Sequence, residues 1–422
     1  MSTMNQVEGV FDVAIAGGGL VGASLALALR KLSLRVALIE ASPYGAIGQP
    51  SFDDRTTALS NGSRRTFAAL DVWPLIERDA TAIRRIHVSD QGRFGFARLD
   101  AAEQGVDALG YVVTNRVMGA ALWRRIEEEG VEVFAPARVK GTQLLEGLQR
   151  IECEQGLDRT IHLDTKLAVA ADGAHSALRE AAGIGVSTWD YGQVALIANV
   201  FSQRFHEHVA YERFTPTGPL ALLPMSEGRL GLVWTVDHDS AQAVAALSDA
   251  AFLERLQSAF GFRLGRFIRV GSRQLYPLSL MRADRYVAPR LAIVGNAAQT
   301  LHPIAGQGFN LGLRDAASLA EVLADGLAAH RPSLGQSQLA FDPGDAVLLE
   351  RYRAWRSADR GNIVRFTDGL VRLFTQPFGP VRLLRNAGML AFDLLPPAKD
   401  ALSQLSLGAA GRVPRLARGA PL

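Results

Sequence analysis

The stretch VAIAGGGLVG, residues 13–22, places Gly17, Gly19 and Gly22 between an apolar run and a segment of helical length. In this spacing the first glycine permits a tight turn, the second lets the backbone approach a pyrophosphate, and the third lets helix and strand pack closely. A helix that starts here directs its N-terminus at phosphate. The pattern predicts a strand, a turn and a helix that bind a dinucleotide.

The flanking residues extend this prediction. Apolar runs at residues 10–16 and 34–40 enclose a possible helix at residues 22–32. Because crossovers between parallel strands are almost always right-handed, this order predicts a βαβ unit in a parallel sheet. Glu40 closes the second run, where an acidic side chain can bind the hydroxyls of an adenosine ribose. A dinucleotide site is favoured over a structural glycine turn, and at this point NAD and FAD both remain open.

Two later apolar runs, residues 166–171 and 290–294, also end in small and polar residues. Each predicts another strand that leads into a site. The first continues into Asp172 and Gly173, and the second into Gly295 and Asn296. The second then reaches a glycine-rich turn at residues 303–310 and a predicted helix at residues 311–327. This turn contains Pro303, Gly306, Gln307, Gly308 and Asn310.

These three ordered motifs resemble those of the class A flavoprotein aromatic hydroxylases, and the resemblance spans nearly the whole chain. It implies FAD as the cofactor and NAD(P)H as the electron donor. Asp172 and Gly173 would serve both, while the Gly295-Asn296 stretch would contact the flavin ribityl chain. The turn at residues 303–310 would direct backbone N–H groups and the positive end of a helix at the flavin N1 and C2 oxygen.

Within that class, three further stretches resemble the ubiquinone-biosynthesis hydroxylases: DRTTAL, which contains Arg55, YVVTNR, which contains Asn115 and Arg116, and residues 362–374. The pair Asn296 and Gln299, where most of the class has Asp and His, resembles one subgroup, the 2-octaprenyl-6-methoxyphenol hydroxylases. The resemblance implies hydroxylation of the aromatic ring of a polyprenylated phenol by O2 through a C4a-hydroperoxyflavin. No residue is assigned as catalytic. The expected cofactor-binding residues are Gly17, Gly19, Gly22, Glu40, Arg55, Asn115, Arg116, Asp172, Gly173, Gly295, Asn296, Pro303, Gly306, Gln307, Gly308 and Asn310.

Other functions share parts of this pattern. An FAD-dependent prenyl reductase or a halogenase would carry the first motif and much of the fold, but the reductase would not depend on O2. A flavin-stabilised scaffold in a biosynthetic assembly would reduce its flavin without regard to substrate or product.

The expected fold is α/β, with three parts. A Rossmann-like FAD-binding domain with a parallel sheet is assembled from residues 1–75, 102–190 and 277–345. Residues 76–101 and 191–276 form an antiparallel-sheet substrate domain, in which residues 194–200, 220–223 and 230–236 are strand-like. Residues 346–422 form a C-terminal helical region, preceded by a linker near residues 331–344.

Composition restricts the cellular compartment and the kinds of metal site that we expect. A single cysteine, Cys153, excludes an internal disulfide framework and a cysteine metal cluster, and no signal peptide is evident, so we expect a cytoplasmic protein. His206 and His208 are expected to be surface residues rather than metal ligands. No metal site and no nucleic-acid partner are expected, and other ubiquinone-biosynthesis proteins are candidate partners.

The C-terminal segment predicts a further contact. Residues 351–422 carry twelve Lys or Arg and four Asp, within a chain of net charge +3. Peripheral contact with the inner face of the membrane would bring the protein to a lipid-soluble substrate. A helical region packed on the core, with a solvated basic face, is an equal alternative. The positions concerned are Leu370, Leu373, Phe374, Leu383, Arg365, Arg372, Arg382 and Arg385.

Overall fold

The structure is a computed structural model that describes residues 4–43, 55–93, 95–156, 159–300, 307–330, 341–375, 407–408 and 411–422. At residues 4–6, 307 and 362–375 it describes the backbone alone. The strands in this part of the chain are β1 (Met4–Ala16), β2 (Val36–Ile39), β3 (Thr56–Ser60), β4 (Thr81–Ile83), β5 (Arg85–Asp90), β6 (Phe96–Asp100), β7 (Gly110–Thr114), β8 (Glu132–Phe134), β9 (Ala137–Leu145), β10 (Leu148–Gln155), β11 (Arg159–Ala170), β12 (Val186–Ser202), β13 (Val209–Thr215), β14 (Gly218–Pro224), β15 (Arg229–Asp237), β16 (Phe267–Val270), β17 (Gln274–Ala283), β18 (Val287–Ala288), β19 (Leu291–Ile293) and β20 (Gln299–Thr300).

The described α-helices lie between and after these strands. They are α1 (Leu20–Arg30), α2 (Asn61–Ala69), α3 (Trp73–Ile76), α4 (Asn115–Glu128), α5 (Ala177–Ala181), α6 (His238–Ala245), α7 (Asp249–Phe260), α8 (Gln307–Ala329) and α9 (Ala346–Thr375). Short 3-10 turns occur at Glu77–Asp79, Ser226–Gly228, Gly295–Ala297 and Leu416–Arg418.

The first sheet is Rossmann-like, with the strand order β18-β19-β11-β1-β2-β8 and with β9 and β10 attached at β11. Its pairs β19-β11, β11-β1, β1-β2 and β2-β8 are all parallel. Helix α1 packs beside them, and its leucines Leu25, Leu27 and Leu29 are at most 1% exposed. Full burial of one such side chain stabilises a fold by roughly 1.5–3 kcal/mol, so packing against the sheet stabilises this largely apolar helix.

The second sheet is mostly antiparallel, in the order β20-β17-β12-β15-β14-β13-β5-β6, with β16 paired to β12. Helices α6 and α7 cover one face, where alternate residues of the strands form an apolar core with them. A small third sheet, β3-β7-β4, lies between the two large ones. The second sheet also includes residues 186–190 and 277–283, beyond the predicted boundaries at 191 and 276. Strands β12 and β17 pair along these segments as well, so each continues past its boundary.

Several local expectations need correction. Helix α1 begins at Leu20, two residues before the predicted start, and α8 begins at Gln307 rather than at residue 311. Gly308 therefore belongs to the first helical turn, where backbone N–H groups have no partner within the helix and glycine is tolerated. The expectation that His206 lies on the surface was wrong. Its side chain is 2% exposed and Nε2 lies 2.9 Å from the carbonyl oxygen of Met225.

The C-terminal segment is helical over α9, but residues 411–422 contain a short 3-10 turn and no α-helix. Leu416 in this turn is 1% exposed and packs in the core that α1, α2 and α8 share. None of the described helices is long and apolar enough to cross a membrane. The side chains on which membrane contact was predicted, between residues 365 and 385, lie outside the described set, as does most of the predicted linker.

Candidate active site

Four parallel strands of the first sheet end at the same level. Ala16 of β1 pairs with Ala170 of β11 and with Ile39 of β2, and Ala170 pairs with Ile293 of β19. The residues that follow these four ends are therefore neighbours along one edge of the sheet. In open α/β sheets, ligands bind outside this carboxyl edge. The predicted residues Gly17, Glu40, Asp172 and Gly295 all lie there.

The glycine turn after β1 is too crowded for side chains. Gly17 has a φ of 102°, and a Cβ on it would lie 2.5 Å from the carbonyl oxygen of Ala171. A Cβ on Gly22 would lie 1.9 Å from the carbonyl oxygen of Gly17. Gly19 is the N-cap of α1 and makes no side-chain capping bond, so the first N–H groups of the helix are available to a phosphate.

Glu40 lies directly beside this turn. Its Oε2 accepts the backbone N–H of Gly18 at 2.7 Å, and its Oε1 accepts that of Ser42 at 2.9 Å. Each carboxylate oxygen has a second lone pair that can accept a ribose hydroxyl. Trp123 of α4 donates its indole N–H to the carbonyl oxygen of Gly18 at 3.0 Å. The sequence gave no reason to expect Trp123 at this turn, because a tryptophan 105 residues away has no local motif.

Asp172 first stabilises its own turn. Its carboxylate accepts hydrogen bonds from the hydroxyl of Ser176 and from the backbone N–H of Leu178, at the start of α5. Burial raises the pKa of Asp172 above its ordinary value. Gly173 has a φ of 88°, and a Cβ there would meet no atom within 4 Å, so this turn faces open space.

Arg179 joins the second motif to the third. Its side chain is 6% exposed and its Nη1 donates to the carbonyl oxygens of Ala174, at 3.0 Å, and Ala297, at 2.9 Å. Ala297 closes the 3-10 turn that contains Gly295 and the exposed Asn296. Gly295 has a φ of 62°. The predicted ribityl-contacting stretch is thus held in place from the Asp172 side.

A buried cluster of charges holds the same turn from the opposite side. Asp315 of α8 is fully buried and accepts the backbone N–H of Gly295 at 3.0 Å. It also binds Arg356 at 2.7 Å and Arg360 at 2.7 Å, both from α9 and at most 1% exposed. These two cations lower the pKa of Asp315, although burial alone would raise it. Tyr352 completes the cluster with a hydrogen bond of 3.0 Å to the carbonyl oxygen of Ile293.

Two predicted residues, Asn310 and Asn115, connect structural elements. Asn310 donates to the carbonyl oxygen of Ala58 at 2.9 Å, and its Oδ1 accepts from Ser60 N at 2.8 Å and Ser63 Oγ at 2.7 Å. It therefore ties α8 to β3 and α2. Asn115 accepts from Thr57 Oγ1 at 2.7 Å and donates its backbone N–H to the carbonyl oxygen of Arg55 at 2.8 Å.

The remaining predicted residues surround this edge. The guanidinium of Arg55, directly before β3, lies 4.8 Å from the ring centroid of Tyr276 on β17, so it connects the start of the small sheet to the second sheet. Arg116 is exposed in the first turn of α4. Gln307 and Gly308 begin α8, and a Cβ on Gly308 would again meet open space. Pro303 and Gly306 lie outside the described residues.

These features fit an FAD molecule. The carboxyl edge offers an uncapped helix N-terminus for the pyrophosphate, an acid for the ribose, and open space beside Gly173 and Gly308. Within the described ranges, no group of three or more His, Cys, Asp or Glu side chains is arranged to hold a metal ion. The site can therefore be built from backbone amides, glycines and a few carboxylates.

Comparison with known proteins agrees with this fit. Residues 10–335 match the family described as FAD binding domain. The chain is 39% identical over 420 residues to ubiquinone hydroxylase UbiL from Rhodospirillum rubrum, covering 98% of this chain and 94% of that protein. It is 32% identical over 389 residues to 3-demethoxyubiquinol 3-hydroxylase from Escherichia coli K12, covering 90% of this chain and 94% of that protein.

The fold has solved relatives. p-Nitrophenol 4-monooxygenase PnpA from Pseudomonas putida superposes with a TM-score of 0.76 over 96% of this chain and 100% of that structure, at 19% identity. At this identity the likeness concerns the fold alone. The full-length similarity to UbiL and the match over residues 10–335 confirm the family expected from the sequence. The chain belongs to the FAD-binding family of flavoprotein aromatic hydroxylases.

Proposed function

We propose that this protein is an FAD-dependent monooxygenase that hydroxylates the aromatic ring of a polyprenylated phenol during ubiquinone biosynthesis. The observation that carries the proposal is similarity over 98% of the chain to ubiquinone hydroxylase UbiL. A full-length relationship of this kind includes the substrate-binding sheet as well as the cofactor motifs. We also propose that the predicted residues along the carboxyl edge bind FAD, with Glu40 at the ribose and the N-terminus of α1 at the pyrophosphate.

The proposed reaction consumes one O2 and one NAD(P)H for each ring hydroxylated. One oxygen atom enters a ring C–H bond to give the hydroxyl group. The other leaves as water, which takes the hydride of NAD(P)H (two electrons and one hydrogen) and one proton from solvent. Bound FAD supplies the redox chemistry by which the nicotinamide electrons reach O2. The chain's own residues position the phenol, bind the cofactor and keep water from the reacting atoms.

The side of the second sheet away from α6 and α7 suits such a substrate. Ile197 of β12, Val233 of β15 and Ala221 of β14 are cross-strand neighbours on this side, and each is half-buried. Their apolar surface would accommodate part of a prenyl chain. Because that chain is lipid-soluble, we further propose that the protein works beside the inner face of the membrane.

The test is hydroxylation by the FAD-loaded protein under labelled O2. A prenylated phenol, NADH or NADPH and 18O2 should give a product with one 18O atom on the ring. The Gly19→Val variant is the matched control, because a branched side chain at the phosphate turn removes FAD. A product that gains two hydrogens without O2 would identify a prenyl reductase, and incorporation of halide a halogenase. A rate of NAD(P)H oxidation that does not change with any added phenol, with no product formed, would favour the scaffold function.

A further inference from the structure

Glu212 lies on the side of the second sheet that meets the FAD-binding part of the chain. Its neighbour Tyr211 packs in the core with α6 and α7, and Arg213 donates Nε to the carbonyl oxygen of Ala259 on α7 at 3.1 Å. Because successive side chains of a strand point to opposite faces, Glu212 points away from those helices. Its cross-strand partners, Ala221 of β14 and Val88 of β5, share that face.

This face is in contact with the strands around the flavin site. A Cβ on Gly231 of β15 would lie 2.9 Å from Thr56 Oγ1, at the start of β3. Ala210, two residues before Glu212 on the same face, packs against Ile83 and Val112 of the small sheet. Glu212 therefore lies beside the region where the second sheet meets the small sheet.

The neighbours of Glu212 across the sheet are apolar. Ile197, Val233, Ala221 and Val88 form one row with it across the sheet, and all five residues are half-buried. Among the described residues, no hydrogen bond or ion pair to the Glu212 carboxyl is found. Burial nevertheless raises the pKa of this carboxyl to about 7. The Glu212 carboxyl therefore lies among apolar side chains, on a residue that keeps some exposure to solvent.

The other ionisable groups on this face either have hydrogen-bond partners of their own or lie further along the strands from Glu212. Asp90 of β5 lies two residues beyond Val88, at the end of its strand, and is 7% exposed. His208 precedes β13, and its Nδ1 lies 3.0 Å from the carbonyl oxygen of Ala82. No described charge from β5, β14, β15 or the small sheet is a cause of the raised pKa, which comes from burial alone.

We propose that Glu212 is a catalytic residue that accepts the proton of the substrate's phenolic hydroxyl. This inference rests on the proposed function. The phenolic O–H bond breaks, the proton bonds to a carboxylate oxygen of Glu212, and the electron pair stays on the phenolate oxygen. The phenolate is a more electron-rich ring for oxygen transfer than the neutral phenol. Glu212, which is half-buried, then returns its proton to solvent.

The acid strengths are suited to this role. A phenol such as the tyrosine side chain has a pKa of about 10, far above that of an ordinary glutamate. A general base works best when its own pKa is near the working pH, where it is partly ionised and still a useful acceptor. Burial among apolar neighbours raises the pKa of Glu212 toward the working pH.

The first experiment compares Glu212→Gln with Glu254→Gln, an exposed acid on α7 behind the same sheet. Glu212→Gln should keep FAD and continue to oxidise NAD(P)H, but form hydroxylated product on the order of 100-fold more slowly and release hydrogen peroxide instead. Product formation by the wild type should rise with pH through about 7, as Glu212 ionises, and this rise should be absent in Glu212→Gln. Glu254→Gln should match the wild type.

The second measurement does not depend on turnover. Infrared difference spectra of the oxidised, FAD-loaded protein should show a carboxyl band that changes when a short-chain prenylphenol binds and that is missing in Glu212→Gln. Hydroxylation at wild-type rate and pH dependence by Glu212→Gln would overturn the inference and leave the proposed function intact. If the carboxyl band of the wild type changes on phenol binding but no phenol is hydroxylated, the proposed function is overturned, while contact between Glu212 and the phenol is still supported. If the wild type gives neither product nor band, both fail.

Discussion

The carboxylate of Asp315 in α8 accepts the backbone N–H of Gly295, in the 3-10 turn after β19, at 3.0 Å. The same carboxylate is bound by Arg356 and Arg360 of α9. Helix α9 therefore fixes the turn that contains the exposed Asn296, without itself belonging to a cofactor motif. The position of the candidate flavin contact depends on a helix that begins much later in the chain, at Ala346.

Replacing Asp315 with Asn should test this dependence. The change leaves two buried guanidinium groups without their shared anion, which typically costs about 3–5 kcal/mol in the free energy of unfolding. We expect a lower denaturation midpoint and weaker FAD binding, measured by urea unfolding and by flavin titration. The control is Glu350→Gln on α9, whose exposed pair with Arg353 should contribute less than about 1 kcal/mol. Equal stability and FAD affinity of Asp315→Asn and wild type would contradict the role given to the cluster.

Two glycine substitutions should have different outcomes. Gly22→Ala places a Cβ 1.9 Å from the carbonyl oxygen of Gly17, so the turn cannot form and the protein should neither fold normally nor bind FAD. Among the described residues, no atom lies within 4 Å of a Cβ on Gly308. Gly308→Ala should therefore fold normally and lose FAD affinity only if the cofactor occupies that space.

Gly141→Ala, whose Cβ would make ordinary contacts with Glu152 at 3.6 Å or more, is the harmless control. Far-ultraviolet circular dichroism and flavin absorbance separate loss of fold from loss of cofactor. Full FAD affinity in a well-folded Gly308→Ala would show that the start of α8 does not approach the flavin.

The sequence was informative where chemistry depends on local spacing. The three glycines and Glu40 predicted the βαβ unit because a tight turn at a phosphate needs glycine at fixed intervals. The charge cluster was missed because Asp315 and Arg356 are far apart along the chain and pair only after α8 and α9 pack. A signal was present, since Arg314 and Asp315 are the two charged residues in an otherwise uncharged stretch at residues 309–320. Glu212 was missed because its environment comes from β5, β14 and the small sheet.

Asn296→Asp should lower the reduction potential of the bound flavin. Asn296 is exposed between buried neighbours, in the turn expected to contact the ribityl chain. A carboxylate there would disfavour the negative charge that the flavin gains on reduction. Potentiometric titration measures the shift, and Asn296→Ser, which adds no charge, should leave the potential near that of the wild type. An upward shift, or none, in Asn296→Asp would mean that residue 296 does not face the flavin.

Glu212→Gln should also change how stability depends on pH. Burial raises the pKa of the folded-state carboxyl to about 7, above the ordinary glutamate value of 4.5. The folded state then holds its proton more tightly than the unfolded state, so the wild type loses stability as pH rises from about 4.5 to 7. Glutamine has no such proton. The thermal midpoint of the variant should exceed that of the wild type at pH 8 and approach it near pH 4. A difference between the two midpoints that does not change with pH would contradict the buried position of the Glu212 carboxyl.

The last prediction concerns the arginines of the C-terminal segment, whose charge suggested attraction to anionic lipid. Arg415 is instead paired within the protein: its Nη2 donates to Asp325 at 2.6 Å, and its backbone N–H donates to Glu321 at 2.5 Å. Arg415→Glu would place three acids together and should lower the free energy of unfolding by roughly 1–2 kcal/mol. Because the wild-type charge is already neutralised, the fraction sedimenting with anionic liposomes at low salt should not change. Arg418→Glu, at an exposed position three residues on, controls for net charge. The contrary outcome would be that Arg415→Glu leaves stability unchanged but abolishes sedimentation, while Arg418→Glu does not abolish it. Arg415 would then have to contact lipid, and this segment would not be packed against α8 in the functional protein.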